Sequence, residues 1–173
     1  MYIFLPDIYQ KSIYTIDYLS LKNAGIKIII FDLDNTIAPI NNNIPSNKLK
    51  DLFDEVKNMG LKPIIMSNSK RHRVEPFKDG LIVDTSYLSL KPLKWKYKKI
   101  LNIYDVKPTE VAAIGDQLLT DVLGANRMGM TSILVNPIST NDLKGTKINR
   151  FFERKIIKHF SKRNVFARGE YYE

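Results

Sequence analysis

The stretch Ile26-Lys27-Ile28-Ile29-Ile30-Phe31-Asp32-Leu33-Asp34-Asn35-Thr36 carries more information than any other in this chain. Its first half is a β-branched apolar run, the pattern of a strand buried on both faces of a parallel sheet. Its second half turns polar at once, with two carboxylates, an amide and a hydroxyl. Asp32 and Asp34 are two residues apart, so in extended backbone both can point to the same side. Open α/β sheets take their ligands at the carboxyl ends of the strands, which is where this pair falls. A strand followed by an Asp/Asn-rich turn would also read this way, so the rest of the chain must distinguish the two.

On either side, strand and helix patterns alternate. A short helix is expected at about 18–24, closed by Gly25, with Ile13, Ile16 and Leu19 at helical spacing before and within it. Residues 26–31 form the first expected strand. Pro39 and Asn41, Asn42 and Asn43 mark a loop. Ser46 reads as the N-cap of an amphipathic helix carrying Leu49, Leu52, Phe53 and Val56 and ending at Gly60. Residues 63–66 read as a second strand, 70–77 as a basic turn or short helix, and 81–83 as a short third strand. Lys91-Pro92 opens another helix, with Pro92 suited to its first turn. Residues 111–114 read as a fourth strand, 118–128 as a helix stopped by Gly129, and 131–135 as a fifth strand. This alternation predicts an α/β protein: a three-layer, doubly wound, Rossmann-like parallel sheet with helices on both faces.

Length and composition narrow the function. The chain has 173 residues, is 44% hydrophobic and contains no cysteine. One domain over 1–173 is expected, with a leading segment 1–25 and a C-terminal helix at about 146–163. Without cysteine, disulfides and thiolate metal sites are excluded. No segment reaches the length of a transmembrane helix. Residues 1–6 are apolar but lack a basic stretch and are followed by Asp7, unlike a signal peptide; a cytoplasmic location is expected. The net charge is +9. The segment from Lys144 to Arg168 has nine basic residues against Glu153 alone, net +8, so the body is nearly neutral. Such a field favours phosphates, nucleic acid or an anionic membrane surface.

Polar groups interrupt the pattern in one recurring place. Asp32 and Asp34, Ser67 and Asn68, and Gly115 and Asp116 each follow an expected strand, and in a parallel sheet those ends share one edge. Lys91 can reach the same edge. Asp32, Asp34 and Asp116 brought together require a cation to stay ionised. Oxygen ligands without sulfur or histidine select a hard metal, Mg2+ above all. With a lysine, a serine hydroxyl and backbone amides, this makes a phosphate site. One carboxylate can then be nucleophile and another the acid and later the base; neither His72 nor His159 is needed.

Asp32-Leu33-Asp34-Asn35-Thr36, then Ser67, then Lys91-Pro92, then Gly115-Asp116 through Thr120-Asp121, in that order, resembles the four motifs of the haloacid dehalogenase (HAD) phosphatase superfamily. The resemblance implies Asp32 as nucleophile and Asp34 as general acid and then base, its carboxyl raised in pKa by its neighbours. It implies that Thr36 holds the loop, Ser67 binds a phosphate oxygen and Lys91 neutralises charge. Mg2+ would be held by the Asp32 and Asp116 carboxylates and the Asp34 carbonyl. Asp121 would order a metal-bound water or orient Lys91, or else be an ordinary first-turn carboxylate favoured by the helix dipole. Asn68, Arg73 and Arg71 would add to a phosphate-binding rim. The intervals Asp34–Ser67 and Ser67–Lys91 are too short for a cap domain, so the chain looks like a capless, subclass III member with an open site suited to a bulky substrate.

A narrower similarity is to the YqeG family, related to phosphatidylglycerophosphate phosphatases. It is carried by Pro6 through Ile16, Gly25-Ile26-Lys27, Ser67-Asn68, Arg73-Val74, Gly115-Asp116-Gln117, Thr120-Asp121, Thr146, Asn149-Arg150 and Glu153. It implies phosphatidylglycerophosphate as candidate substrate. The alternatives are another phosphomonoester, such as a nucleic-acid end, nucleotide or sugar phosphate, or a non-enzymatic module using the basic tail on RNA or a partner. In that tail Ile148, Phe151, Phe152, Ile156 and Phe160 recur at helical spacing among cations. Such a helix either packs its stripe on the core or lies in an anionic membrane interface at the inner face of the membrane. Trp95, among Lys94, Lys96, Lys98 and Lys99, reads as a core or partner contact.

Overall fold

The structure, a computed structural model, describes residues 2–139 and 144–173, with main chain only for 144–147. The side chains of Lys144, Thr146 and Lys147, which carry part of the tail charge and of the resemblance, lie outside the described residues.

A six-stranded, all-parallel sheet organises the chain: β1 (Ile8–Gln10), β2 (Ile28–Phe31), β3 (Lys62–Met66), β4 (Asp84–Ser86), β5 (Val111–Gly115) and β6 (Thr131–Val135), in the order β1-β6-β5-β2-β3-β4. The chain winds from β2 outward to β4, then restarts at β5 on the other side of β2. The switch point therefore lies between β2 and β5. Phe31 is in register with both Ile65 and Ile114, so the polar residues after these strands emerge at one edge.

The helices are α1 (Tyr18–Asn23), α2 (Asn47–Asn58), α3 (Arg71–Leu81), α4 (Lys94–Tyr104), α5 (Leu123–Met128) and α6 (Lys144–Ser161). The period-two alternation of strand side chains sorts them into layers. Ile29, Phe31, Ile65, Ile114 and Ile133 pack with Leu21 of α1, Phe53 and Val56 of α2, and Val74 and Phe77 of α3. Ile28, Ile30, Ile64, Met66 and Ala113 face the opposite way, onto Tyr97 and Ile100 of α4 and Ala125 of α5. On that same side Leu134 and Tyr9 meet Leu118, Val122, and Phe160 of α6. The sheet is thus covered on both faces, as a parallel sheet must be. Ser46 caps α2 as expected, its hydroxyl accepting the Leu49 N–H at 3.2 Å.

Several local expectations need correction. Three residues, Ile8–Gln10, form a strand that carries no alternation of its own; the strand exists because β6 is beside it and Tyr172 bridges Tyr9 on its other side. The apolar run at 81–83 is not the strand. Helix α3 continues to Leu81, because Val74, Phe77 and Leu81 share a buried helical face, and the strand follows at Asp84–Ser86. Leu19 faces solvent, so it is Tyr18 and Leu21 that anchor α1. Pro92 precedes its helix, joined to Lys91 by a cis peptide, and α4 begins at Lys94. The single helix expected over 118–128 is a π-helical turn, Leu118–Val122, running into α5. Only a loop and α2 separate β2 from β3, and only α3, β4 and a loop separate β3 from Lys91. Neither interval therefore holds a cap domain.

Candidate active site

The cleft lies at the carboxyl edge of β2, β3 and β5, with a volume of about 860 Å³; Asp32, Asp34, Ser67, Asn68, Arg73, Lys91, Gln117 and Asn149 are among its lining residues. Asp32 follows β2 and is fixed by its N–H on the Ile114 carbonyl at 2.9 Å. Its Oδ1 accepts from the Lys91 ammonium at 2.5 Å and its Oδ2 from the Thr36 hydroxyl at 3.0 Å. Thr36 lies 3.3 Å from Asp116 Oδ1 as well, so one hydroxyl spans the two carboxylates. Lys91 also donates to Asp121 Oδ1 at 2.6 Å. Asp121 Oδ2 in turn accepts the Gln117 N–H at 3.2 Å. Asp121 therefore both closes its own first turn and pairs with Lys91.

The buried acids that meet are Asp32, Asp116 and Asp121, each offering an oxygen within 4.8 Å of the others. Asp121 rather than Asp34 completes the trio, which corrects the expected grouping. The Asp34 carboxylate is turned instead to the Ser69 hydroxyl at 2.5 Å and the Arg73 Nε at 2.9 Å. Asn35 takes a left-handed φ of 65°, and Ile37 and Ala38 both donate to the Leu33 carbonyl, so the chain turns sharply just after Asp34.

Two residues expected to contact substrate line the cleft and also hold neighbouring groups. Asn68 grips the main chain of Lys91, its Oδ1 accepting the Lys91 N–H at 2.8 Å and its Nδ2 donating to the Lys91 carbonyl at 3.3 Å. Arg73 binds Asp34 and the carbonyls of Pro39 and Asn42, tying the acid to the 39–42 loop. Arg71 pairs with Glu75 on the surface. Ser67 is buried at the end of β3, its hydroxyl accepting the Ser69 N–H at 3.0 Å.

Sequence reasoning missed Arg150 and Glu153 as part of this site. Arg150, on α6, donates to the Asp116 carbonyl at 2.7 Å and is ion-paired with its carboxylate. Glu153 is buried, binds Arg150 at 3.0 Å and accepts the Leu119 N–H at 3.1 Å. The signal was present: one acid in a basic tail, three residues after an arginine, is placed for a partner on its own helix. Gly115 is explained by the same packing, because a Cβ there would overlap the Asp121 carboxyl group.

Electrostatics mark the trio as short of positive charge. Burial pushes the Asp116 carboxyl up to about 8, against the pull of Arg150 and with Asp32 and Asp121 adding to the rise. Burial likewise lifts Asp32 to about 6, opposed by Lys91 and reinforced by Asp121. For Lys91 burial favours the neutral form, but Asp121 and Asp32 more than reverse this and hold the ammonium charged. Among the described residues, Lys91 and Arg150 thus meet four buried carboxylates, Asp32, Asp116, Asp121 and Glu153. A single divalent cation would cancel the imbalance. The donor set, carboxylate oxygen throughout, fits a hard cation.

A doubly wound parallel sheet with an aspartate at the end of its central strand, a buried lysine and an acidic trio at its switch point fits a phosphatase of the HAD type. Residues 90–147 match the HAD-hydrolase-like family model. The chain is 38% identical over 154 residues to the "Probable phosphatase YqeG" of Bacillus subtilis (strain 168), covering 89% of this chain and 90% of that one. The chain belongs to the YqeG family of HAD-superfamily phosphatases. It is also 25% identical over 146 residues to the chloroplastic phosphatidylglycerophosphate phosphatase 1 of Chlamydomonas reinhardtii, spanning 79% of this chain and about half, 54%, of that relative. A solved structure from Legionella pneumophila, described as a HAD superfamily (subfamily III A) hydrolase, shares the fold. It superposes with a TM-score of 0.53 at 18% identity, over 70% of this chain and 71% of that one.

Proposed function

We propose that the protein is a Mg2+-dependent phosphomonoesterase working through an aspartyl-phosphate on Asp32, with the whole of 1–173 as one catalytic unit. The observation that carries this reading is Lys91, buried and bridging Asp32 and Asp121 at 2.5 and 2.6 Å, beside Asp116. A buried lysine between carboxylates keeps a nucleophilic Asp ionised despite its burial.

Asp32 attacks phosphorus in line, and the P–O bond to the leaving alcohol breaks. Asp34, facing the cleft from beside Ser69 and Arg73, gives that oxygen a proton. It then takes one from the water that hydrolyses the acyl phosphate, which frees phosphate and restores Asp32. Ser67 and backbone amides hold phosphate oxygens, and Lys91 offsets the charge that builds on them. Asp32, Asp116 and the Asp34 carbonyl would hold Mg2+, which when bound draws charge off the phosphoryl oxygens. Asp121 orients Lys91. Asn68 and Arg73, given their contacts, position Lys91 and Asp34 rather than touch substrate.

Phosphatidylglycerophosphate is the candidate substrate, supported by the algal relative and by two motif intervals that hold no cap domain. The protein would then work in the cytoplasm at the inner face of the membrane. The test is phosphate release from a panel: lipid-embedded phosphatidylglycerophosphate, nucleotides, sugar phosphates and end-phosphorylated DNA, each against Asp32→Asn. The lipid is expected to be turned over fastest. No release above the Asp32→Asn control from any member would overturn the enzymatic reading. Faster release from a soluble member would overturn the lipid substrate alone.

A further inference from the structure

Two exposed apolar patches flank the mouth of the cleft, and turnover explains neither. The first lies around the loop that delivers Lys91. Side chains alternate along it: Ser89 and Lys91 are buried, while Leu88 and Leu90 face solvent. Both leucines hold left-handed backbone, at φ 46° and 53°, which branched side chains adopt only where the surroundings impose it. Beside them Trp95, on the first turn of α4, is 49% exposed. The Lys96 ammonium lies 4.4 Å from the Trp95 ring and 5.7 Å from that of Tyr87, drawing the three together.

The second patch is on the first turns of α6, whose apolar stripe is divided. Ile156, Ile157 and Phe160 pack against the sheet. Ile148, Phe151 and Phe152 do not, and are 63%, 48% and 50% exposed. The two phenyl rings meet edge-on at 5.5 Å, with the Lys155 ammonium 4.6 Å over Phe151. The helix cannot roll to bury them, because Arg150 and Glu153 hold its other face to Asp116 and Leu119. Leu88 and Asn149 line the same cleft, so both patches sit on its rim.

We propose that these two pads seat the protein on an anionic lipid bilayer, with the cleft facing the headgroups. Each pad combines aromatic rings and aliphatic side chains with a lysine, the composition that settles at the boundary of hydrocarbon and headgroup. The charge is complementary, since +8 of the net +9 lies between Lys144 and Arg168. No described helix is long and apolar enough to cross a membrane, so the contact is with the surface. A nucleic-acid site needs cations and ring faces but has no use for exposed leucine and isoleucine. Here Leu88, Leu90 and Ile148 are as prominent as the aromatics. The inference rests on the proposed function only for the direction the cleft faces; attachment is measured without turnover.

The test uses the full chain with vesicles of phosphatidylcholine alone and with about 30% phosphatidylglycerol. Trp95 is the sole tryptophan, so its emission reports one pad without labelling. Co-sedimentation and a blue shift are expected with the anionic vesicles, both weakened at high salt. Phe151→Ser with Phe152→Ser should weaken binding at least about tenfold and leave turnover of a soluble aryl phosphate within about twofold of the parent. Replacing Arg154, Lys155 and Lys158 by glutamine should weaken it at least about tenfold as well. The proposal is overturned by absence of both sedimentation and shift, by equal binding to neutral vesicles, or by full binding in the double phenylalanine variant. It is equally overturned by salt-steep binding of single-stranded RNA with none to vesicles. Soluble turnover without vesicle binding would remove the docking surface and leave the phosphatase; vesicle binding without any turnover would do the reverse.

Discussion

Replacing Lys91 by methionine tests the electrostatic logic of the site directly. Methionine keeps the length and apolar stem of the side chain and removes only the charge. Lys91 is buried and its ammonium makes ion pairs at 2.5 and 2.6 Å with Asp32 and Asp121. Breaking a buried pair by deleting one partner costs about 3–5 kcal/mol, because the other charge is left uncompensated. For a chain of this size that lowers Tm by about 6–20 °C. The loss should depend on pH with a definite sign. Asp32 and Asp116 are already raised, to about 6 and about 8, above their unfolded values. A carboxyl raised on folding contributes stability that is fully present below its unfolded pKa, near 4, and is lost as pH rises through the folded one. Removing Lys91 pushes Asp32 higher still, so the variant should lose most at high pH. Urea unfolding in chelator at pH 5 and pH 8 measures this: a gap of about 3–5 kcal/mol at pH 8 should shrink by more than half at pH 5. A gap below about 1 kcal/mol at pH 8, or one equal at the two pH values, would refute the argument.

Three further outcomes are expected. Asp34→Asn should let phosphoenzyme form from an aryl phosphate with a good leaving group but slow its hydrolysis about 10²- to 10⁴-fold; rapid-quench trapping should show the intermediate, and unchanged turnover would remove Asp34 from the acid/base role. Gly115→Ala drives a Cβ into the Asp121 carboxyl group, which should cost about 1–3 kcal/mol by urea unfolding and lower kcat more than it changes KM. Glu153→Gln removes the charge that holds Arg150 while keeping an acceptor for the Leu119 N–H. It should cost about 1–2 kcal/mol and speed hydrogen exchange at the start of α6; unchanged exchange there would mean the helix is held by Phe160 and its neighbours alone.

Much of the fold was legible because its signals are local. The apolar run at 26–31 marked a doubly buried strand, observed at Ile28–Phe31, and Ser46 with Leu49, Leu52, Phe53 and Val56 announced α2 with its cap. The elements that were not legible depend on partners distant in sequence. Ile8–Gln10 is a strand only beside Ile133–Val135. Leu81 belongs to a helix only because Val74 and Phe77 bury the same face.

The site divides in the same way. Asp32, Ser67, Lys91 and Asp116 were found from sequence, since each follows a strand pattern or stands in a motif, and parallel strands end at one edge. Sequence by itself determined that carboxylates, a lysine and hydroxyls would meet there, because strand polarity follows from chain order. Only the tertiary structure decided which of them touch. The Asp34 carboxylate is held by Arg73 and Ser69, while Asp121, from the turn after β5, stands beside Lys91. The docking of α6 sets Arg150 on Asp116 from 34 residues away and leaves Phe151 and Phe152 facing outward. These outcomes depend on side-chain direction after a turn and on helix rotation over a sheet, and long-range packing sets both.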